Sequence, residues 1–309
     1  MRVVSLLPSA TETVCALGVD PVGVTHECDY PPRVAALPDV VHSRIDTSGT
    51  SGEVDDAVQS VQSEGGVYEL DRDRLRELDP DVVVTQGICD VCAVDESVVR
   101  DTVAELELDA EIVTSHPHTL DDVFDDVERL GAVLGREETA TELRAELAER
   151  VERVRERVAE ADETPTVTVL DWLEPPMVSG HWVPELVEIA GGEFLLAEPG
   201  ERSGPVEWAR LREADPDVLV AAPCGFDVKR TVGELPALAD REGFATLSAV
   251  REDRVAVLDG NHYVNRPGPR LVETLEYLAS VLHPELFSEP PADAVRRDPL
   301  PATPVTADD

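Results

Sequence analysis

The chain has 309 residues, 42% of them apolar, enough for two medium-sized domains with proper cores. Acidic residues outnumber basic ones 65 to 26, the formal net charge is -39, and Lys229 is the sole lysine. That balance argues against nucleic acid or an anionic membrane surface as partner, because phosphate contacts need a basic face. No apolar run approaches the length of a membrane span, so no membrane insertion is expected. The acid is spread along the whole chain, the composition expected of a halophilic protein from a cytoplasm at molar salt, where the Debye length falls to about 3 Å. An odd number of cysteines, 5, without regular spacing fits reduced thiols better than a disulfide framework.

In chain order, residues 2–7 (RVVSLL) read as a strand, followed by Pro8-Ser9 and a helix from Ala10 with Gly18 as its C-cap. A short strand, Val22 to Thr25, leads into His26-Glu27-Cys28-Asp29-Tyr30-Pro31-Pro32, and a Gly/Ser-rich interval around 43–52 reads as loop. Leu75 to Thr85 (LRELDPDVVVT) ends a helix at Asp79-Pro80, enters a buried-type strand and empties into Gln86-Gly87-Ile88-Cys89-Asp90-Val91-Cys92. A strand from Ala110 to Thr114 and a helix from Leu120 to Leu134 close the first half.

Residues 136–162 then read as one long helix. Ala140, Leu143, Leu147, Val151, Val154, Val158 and Ala161 form a narrow apolar stripe, and at 1.5 Å per residue the helix would reach roughly 40 Å. The stripe alone suits a solvated helix or a coiled-coil seam equally well. The second half decides between a seam and a connector, because the order of the first half returns there.

Thr166 to Leu170 is a strand emptying into Asp171-Trp172 and, after Pro175-Pro176, Gly180-His181-Trp182; a helix from Pro184 stops at Gly191-Gly192. Phe194 to Ala197 reads as a short strand, and Leu211 to Ala221 (LREADPDVLVA) repeats the earlier LRELDPDVVVT. Val255 to Leu258 is the last strand, its loop runs from Asp259 to Gly268, and a helix continues to Leu282. The fold class expected is therefore α/β: two doubly wound lobes with parallel sheets, 1–135 and 163–287, joined by the connecting helix 136–162, with a ligand cleft between the lobes. The Pro- and Asp-rich tail 288–309 is expected to be disordered.

Ligands of open α/β sheets bind beyond the carboxyl ends of the strands. The loops at those ends hold every cysteine but Cys15, every histidine but His42 and His283, and every tryptophan but Trp208. Cys89 and Cys92 form a lone CxxC, which with Cys28 and Cys224 would make a metal site only if separate loops converge. In a chain only 4% aromatic, Trp172, Trp182, Phe226 and Tyr263 offer flat, rigid contact area, or else core packing. Arg266 would meet an anionic or amide group of a ligand, or pair with a neighbouring Asp. The common signatures of hydrolases, zincins, P-loop NTPases and dinucleotide-binding enzymes are absent, so no catalysis is expected.

SLLPSATE, HECDYPP, PDVVVTQGICDVCAV, GHWVPELVEIAGG, PDVLVAAPCGFD and GNHYVNRPGPRLVETLE, in this order around the long helix, resemble the cobalamin-binding members of the helical-backbone (class III) substrate-binding proteins over residues 1–287. Relatives of that family serve ABC importers for vitamin B12, iron-siderophores and haem. The resemblance implies cobalamin or another corrinoid or metal chelate as a small-molecule ligand in a shallow cleft, held by Ser9, Glu27, Cys28, Cys89 and Cys92 of the first lobe. From the second it implies Trp172, His181, Trp182, Cys224, Phe226, Tyr263 and Arg266. It also implies an ABC permease as partner, docking on acidic residues of which Asp73 has a counterpart in the first lobe; the matching position in the second is Ala209, beside Glu207. The alternative from the residues alone is an intracellular metal-binding protein or metal-dependent enzyme using the Cys and His residues of these loops, with a bound metal ion. No signal-peptide core is visible after Met1, so the expected location is cytoplasmic, or the extracellular side of the membrane if the start lies upstream.

Overall fold

The computed structural model describes residues 1–62, 66–88, 91, 93–297 and 300. The chain divides into two compact units, Met1–Glu152 with Arg266–Val272, and Arg153–Asn265 with the chain from Glu273 on. Each is an α/β unit built on parallel strands.

Unit 1 contains β1 (Val3–Ser5), α1 (Pro8–Ala16), β2 (Val24–Thr25), β3 (Asp39–Ser43), α2 (Ser51–Gln62), β4 (Tyr68–Leu70), α3 (Arg72–Leu78), β5 (Val82–Gln86), α4 (Glu96–Glu105), β6 (Glu111–Ser115) and α5 (Leu120–Leu134). β1, β5 and β6 pair in parallel, Val3 to Ser5 against Val82 to Val84 and Val82 to Gln86 against Glu111 to Ser115. A second sheet in the order β2-β3-β4 joins parallel and antiparallel pairs. Helix α2 falls partly within the interval expected to be loop. Helix α5 opens with a capping box between Thr119 and Asp122 and ends at Gly135 in the left-handed region.

The long helix is α6, Glu137–Val158, four residues shorter at its C-terminal end than expected. The boundary between the units falls within it, between Glu152 and Arg153. In unit 1, Ala140 and Leu143 join the core of Val127, Leu130 and Leu134, and the approach of α5 to α6 is so close that a Cβ on Gly131 would collide with Ala140. In unit 2, Arg157 donates to the Leu286 carbonyl and lies 5.7 Å from the Phe287 ring centroid.

Unit 2 continues with β7 (Thr166–Leu173), β8 (Pro176–Val178), α7 (Val183–Ile189), β9 (Glu193–Phe194), β10 (Gly204–Pro205), α8 (Trp208–Ala214), β11 (Val218–Ala221), α9 (Val228–Glu234), α10 (Pro236–Ala239), α11 (Ser248–Arg251), β12 (Val255–Leu258), α12 (Leu271–Leu282) and β13 (Val295–Arg297), the first two residues of α12 belonging to unit 1. Its sheet runs β10-β8-β7-β11-β12-β13 with β9 on β7. The centre, β7-β11-β12, is parallel, and β8, β10 and β13 add antiparallel edges. Strand β13 corrects the reading of a disordered tail for its first part, where Val295 to Arg297 pair with Leu258 to Ala256 and close an edge that would otherwise stand open; residues 301–309 of that expected tail lie outside the described residues.

The internal repeat has the same build twice. Leu75 and Leu211 are both fully buried, Asp79 and Asp215 both end their helices in the left-handed region at φ 39° and 42°, and buried strands follow at once. An Asp tolerates that conformation better than other non-Gly residues, and the Pro after it prevents the helix from continuing.

The deepest charge in unit 1 is Glu12 on α1. It accepts from Arg270 Nε and Nη2 at 2.9 and 2.6 Å and from Arg266 Nη1 at 3.2 Å, while Arg266 also donates to Asp29 Oδ1 at 2.6 Å. All of Glu12, Arg266 and Arg270 are buried. Removing one member of such a network leaves a buried charge without compensation, at a cost of about 3–5 kcal/mol. Glu12→Gln is therefore expected to lower unfolding free energy by about 3 kcal/mol, read from denaturant midpoints at constant salt. A loss below about 1 kcal/mol, the range of exposed pairs, would show that the network does not seat the 266–272 segment.

Candidate functional site

The loops at the carboxyl ends of the parallel strands in unit 2 are stacked on one another by backbone bonds. β7 runs on through Asp171 and Trp172, which the sequence reading placed in a loop, because it pairs there with β8; within it the Leu170 and Asp171 carbonyls accept from Ala222 and Cys224 N–H groups at 2.8 and 3.0 Å. After β11, the Phe226 carbonyl accepts from Gly260 and Asn261 at 3.0 and 3.1 Å, which joins the loop after β12 to the same stack. Asn265 Nδ2 donates to the Ala222 and Gly260 carbonyls, both at 3.0 Å.

Aromatic groups gather on this stack. The half-buried Trp172 meets Phe226 edge-on, ring centroids 5.3 Å apart, and turns its Nε1–H to the Glu174 carbonyl at 3.1 Å. Phe226 is itself buried, and the Arg230 guanidinium lies 3.5 Å from its ring centroid, a cation–π pair. Trp182 is buried and donates to the Val264 carbonyl at 2.9 Å, so it braces the loop after β12 from beneath. His181 stacks on Trp182 with centroids 5.6 Å apart and sits at φ 53°, a conformation that costs a non-Gly residue free energy. Tyr263 is half-buried and packs edge-on against Tyr277. Cys224 is a half-buried free thiol on the same loop as Phe226.

The remaining expected site residues lie in unit 1. Ser9 is buried in the first turn of α1, with the backbone of Gly268 close enough that a Cβ there would press on the Ser9 carbonyl. Glu27 accepts from Tyr68 OH at 3.2 Å and faces His26 Nε2 at 3.9 Å. Cys28 is buried, with Thr11 Oγ1 at 3.1 Å and Thr25 Oγ1 at 3.4 Å from its sulfur. Burial pushes its thiol up despite those hydrogen bonds, and burial likewise pushes Cys15 up to about 11. Cys89 and Cys92 lie outside the described residues.

Arg266 takes the plainer of its two expected roles. It is 4% exposed, and although burial works against its charge, the hydrogen bonds and charge of Asp29, with the charge of Glu12, more than offset it. Among the described residues no group of three or more His, Cys, Asp or Glu is arranged to hold a metal ion, and Cys28 and Cys224 belong to different units.

Two features escaped the sequence reading. The Glu12–Arg270 pair spans 258 positions and leaves no local signal. Asp259 and His262, by contrast, are three residues apart after the last parallel strand: Asp259 accepts from the His262 N–H at 2.6 Å and pairs with its Nδ1 at 2.7 Å. The spacing was legible as an Asp-capped turn.

A family model described as periplasmic binding protein matches residues 3–262. The chain is similar to the vitamin B12-binding protein of Vibrio cholerae serotype O1, 22% identical over 290 residues, 91% of this chain and 88% of that protein. It is similar also to the ABC transporter substrate-binding lipoprotein YvrC of Bacillus subtilis, 25% identical over 300 residues, 93% of this chain and 82% of that one. Among solved structures, a periplasmic heme-binding protein from Pseudomonas aeruginosa superposes with a TM-score of 0.72 at 21% identity, covering 94% of this chain and 96% of that one. The periplasmic vitamin B12 binding protein BtuF of Vibrio cholerae gives 0.65 at 21% identity, with 91% and 96% covered.

The thiol environments have a direct consequence. Iodoacetamide at pH 8 is expected to leave Cys15 and Cys28 unmodified in the folded protein and to label both after denaturation, read by peptide mass mapping, because the thiolate is the reacting species. Native labelling of Cys28 would place it in a reactive rather than a packed setting.

Proposed function

This chain belongs to the periplasmic binding protein family, and on that premise we propose that it is a non-catalytic substrate-binding protein for a metal chelate, with cobalamin or another corrinoid as its ligand. The observation that carries the reading is the placing of the half-buried Trp172, backed by the buried Phe226, and of the half-buried Tyr263 at and beyond the carboxyl ends of unit 2 strands in a chain that has few aromatic residues. Such faces suit a broad, flat ligand, and an aromatic pair contributes about 0.5–1.5 kcal/mol beyond area burial. The names of the relatives agree on the class: a vitamin B12-binding protein and a heme-binding protein both take a metal held in a planar macrocycle.

The partner in this reading is an ABC permease, as the name of the Bacillus subtilis relative suggests, and the working location is the outer side of the membrane. Asp73, on α3, is exposed and pairs with Arg76 at 3.0 Å, while Glu207 and Ala209 stand at the start of α8. These are the positions at which such docking would be tested. The acidic composition is read as adaptation to molar salt, so binding belongs in a high-salt buffer.

Calorimetric and visible titrations at molar salt with cyanocobalamin, hemin and an iron-hydroxamate test the ligand. One-to-one binding of the corrinoid is expected, weakened about tenfold by Trp172→Ala, the equivalent of about 1.4 kcal/mol. Binding of hemin or hydroxamate in its place would move the reading to another metal chelate, and binding of none of the three would remove it.

A further inference from the structure

We infer that β6, the open edge of the unit 1 sheet, joins two copies of this chain, β6 pairing antiparallel with β6 of a second copy about a two-fold axis through Val113. Strand β6 runs from Glu111 to Ser115 and pairs in parallel with β5 along its whole length. The direction of its bonds fixes which groups face outward. The Glu111 N–H donates to the Asp81 carbonyl at 2.9 Å and the Ser115 carbonyl accepts from Gly87 at 3.0 Å, so the backbone of Glu111, Val113 and Ser115 turns toward β5. A residue's N–H and C=O point to the same side of a strand, and the side alternates from one residue to the next. Those of Ile112 and Thr114 therefore point away from the sheet, and among the described residues they find no partner there.

Unit 2 shows the corresponding edge filled. There β12 follows β11 as β6 follows β5, and on the outer side of β12 the chain lays its own β13, antiparallel, Val295 to Arg297 against Leu258 to Ala256. The other edge strands are short: three residues in β1, β4 and β13, and two in β2, β9 and β10, the last a Gly-Pro pair that blunts it. At five residues β6 is the longest edge strand among the described residues, and it contains neither proline nor lysine. Such an edge is a template for a further strand unless something covers it.

A second copy fits because the pattern is self-complementary. With Val113 on the axis, Ile112 of one copy stands opposite Thr114 of the other, and each such pair exchanges both of its N–H···O bonds. Two N–H and two C=O groups from each copy are thereby all used, in four bonds. A groove of about 340 Å³ lies beside the strand, with Ile112 and Val133 as its apolar strip. Arg100, paired with Glu96, rims it from α4, and Arg129, paired with Asp126, from α5. Those pairs neutralise themselves, so the rim adds little repulsion between copies of a chain with net charge -39. Glu111 is the strand's own charge. Antiparallel pairing sets it opposite Ser115 and near His116 of the second copy, whereas parallel pairing would set it against another Glu111, and like charges directly opposite are destabilising. At molar salt the remaining surface repulsion is screened within about 3 Å, so association strengthens with salt.

Sedimentation equilibrium on the full chain at molar salt is expected to show a concentration-dependent dimer, and hydrogen exchange to show the Ile112 and Thr114 amides slowing as the dimer forms. Ile112→Pro is the deciding variant. The Ile112 N–H faces outward, so proline removes no bond to β5 and the unfolding midpoint should hold. By symmetry, however, the one substitution deletes two of the four bonds between copies, and the dimer dissociation constant is expected to rise about tenfold to a hundredfold. Exchange in the unsubstituted chain decides the matter even if that variant fails to fold. A chain that stays monomeric at its highest soluble concentration, or a dimer that a folded Ile112→Pro variant leaves intact, would overturn the inference. So would slow exchange at both amides in a dilute monomer, which would place the covering segment within the chain itself. Slowing only on addition of a different protein or an extended peptide would assign the edge to another partner and equally sink it.

Discussion

The unit 1 loops depend on a carboxylate that has been taken out of water. Glu12 stands on α1 with its charge enclosed, and the cost of that enclosure is met by two guanidinium groups from residues 266 and 270. The planar fork of arginine suits the task, since Arg270 presents Nε and Nη2 to the two carboxylate oxygens together. Around the same centre, Asp29 binds Arg266 and the ring of Tyr30 lies 4.0 Å from the Arg270 guanidinium carbon. One network therefore fixes α1, the loop after β2 and the segment that begins where the β12 loop ends. At molar salt, charges on the surface are screened within about 3 Å, so exposed pairs contribute little, whereas this enclosed set keeps its strength. In a chain so rich in acid and poor in base, the burial of two arginines for one glutamate is a concentrated use of positive charge.

Local signals carried most of the fold. The two copies of the Leu-Arg-Glu to Asp-Pro-Asp segment announced a helix, its left-handed end and a buried strand, and Asp79 and Asp215 adopt that end with nearly the same φ. Where the sequence misled, the determining interaction was distant or the local composition was mixed. Helix α2 starts at Ser51-Gly52, amid turn-forming residues, and its Val54 and Val58 periodicity was hidden by them. Strand β13 is three residues inside a Pro- and Asp-rich stretch, and it exists because β12 offers an open edge to Val295–Arg297.

The candidate site divides in the same way. Scarcity of aromatic residues and their placement after strands picked out Trp172, Trp182, Phe226 and Tyr263, but not which of them would face outward. That is set by partners far along the chain: Trp182 is held by the Val264 carbonyl, 82 positions away, and is turned into support for the loop above it. Phe226 is covered by Trp172 and Arg230 and acts through them. Arg266 offered two readings from sequence because its only cue was a lone positive charge, and its partner at Glu12 lies 254 positions away.

The two enclosed carboxylates, Glu12 and Asp259, show how the same device serves different ends. Each lies in or beside a regular element, each is nearly inaccessible, and each binds a nitrogen base. Glu12 faces guanidinium groups, which carry five donors and no acceptor and stay charged, so they have no lone pair to offer a ligand. Asp259 faces an imidazole, which pairs with it through both its backbone N–H and its ring Nδ1. The partner's chemistry, more than the burial of the carboxylate, separates a bond that holds the fold from one that aims a side chain. By that criterion the Glu12 network of unit 1 is a bond that holds the fold.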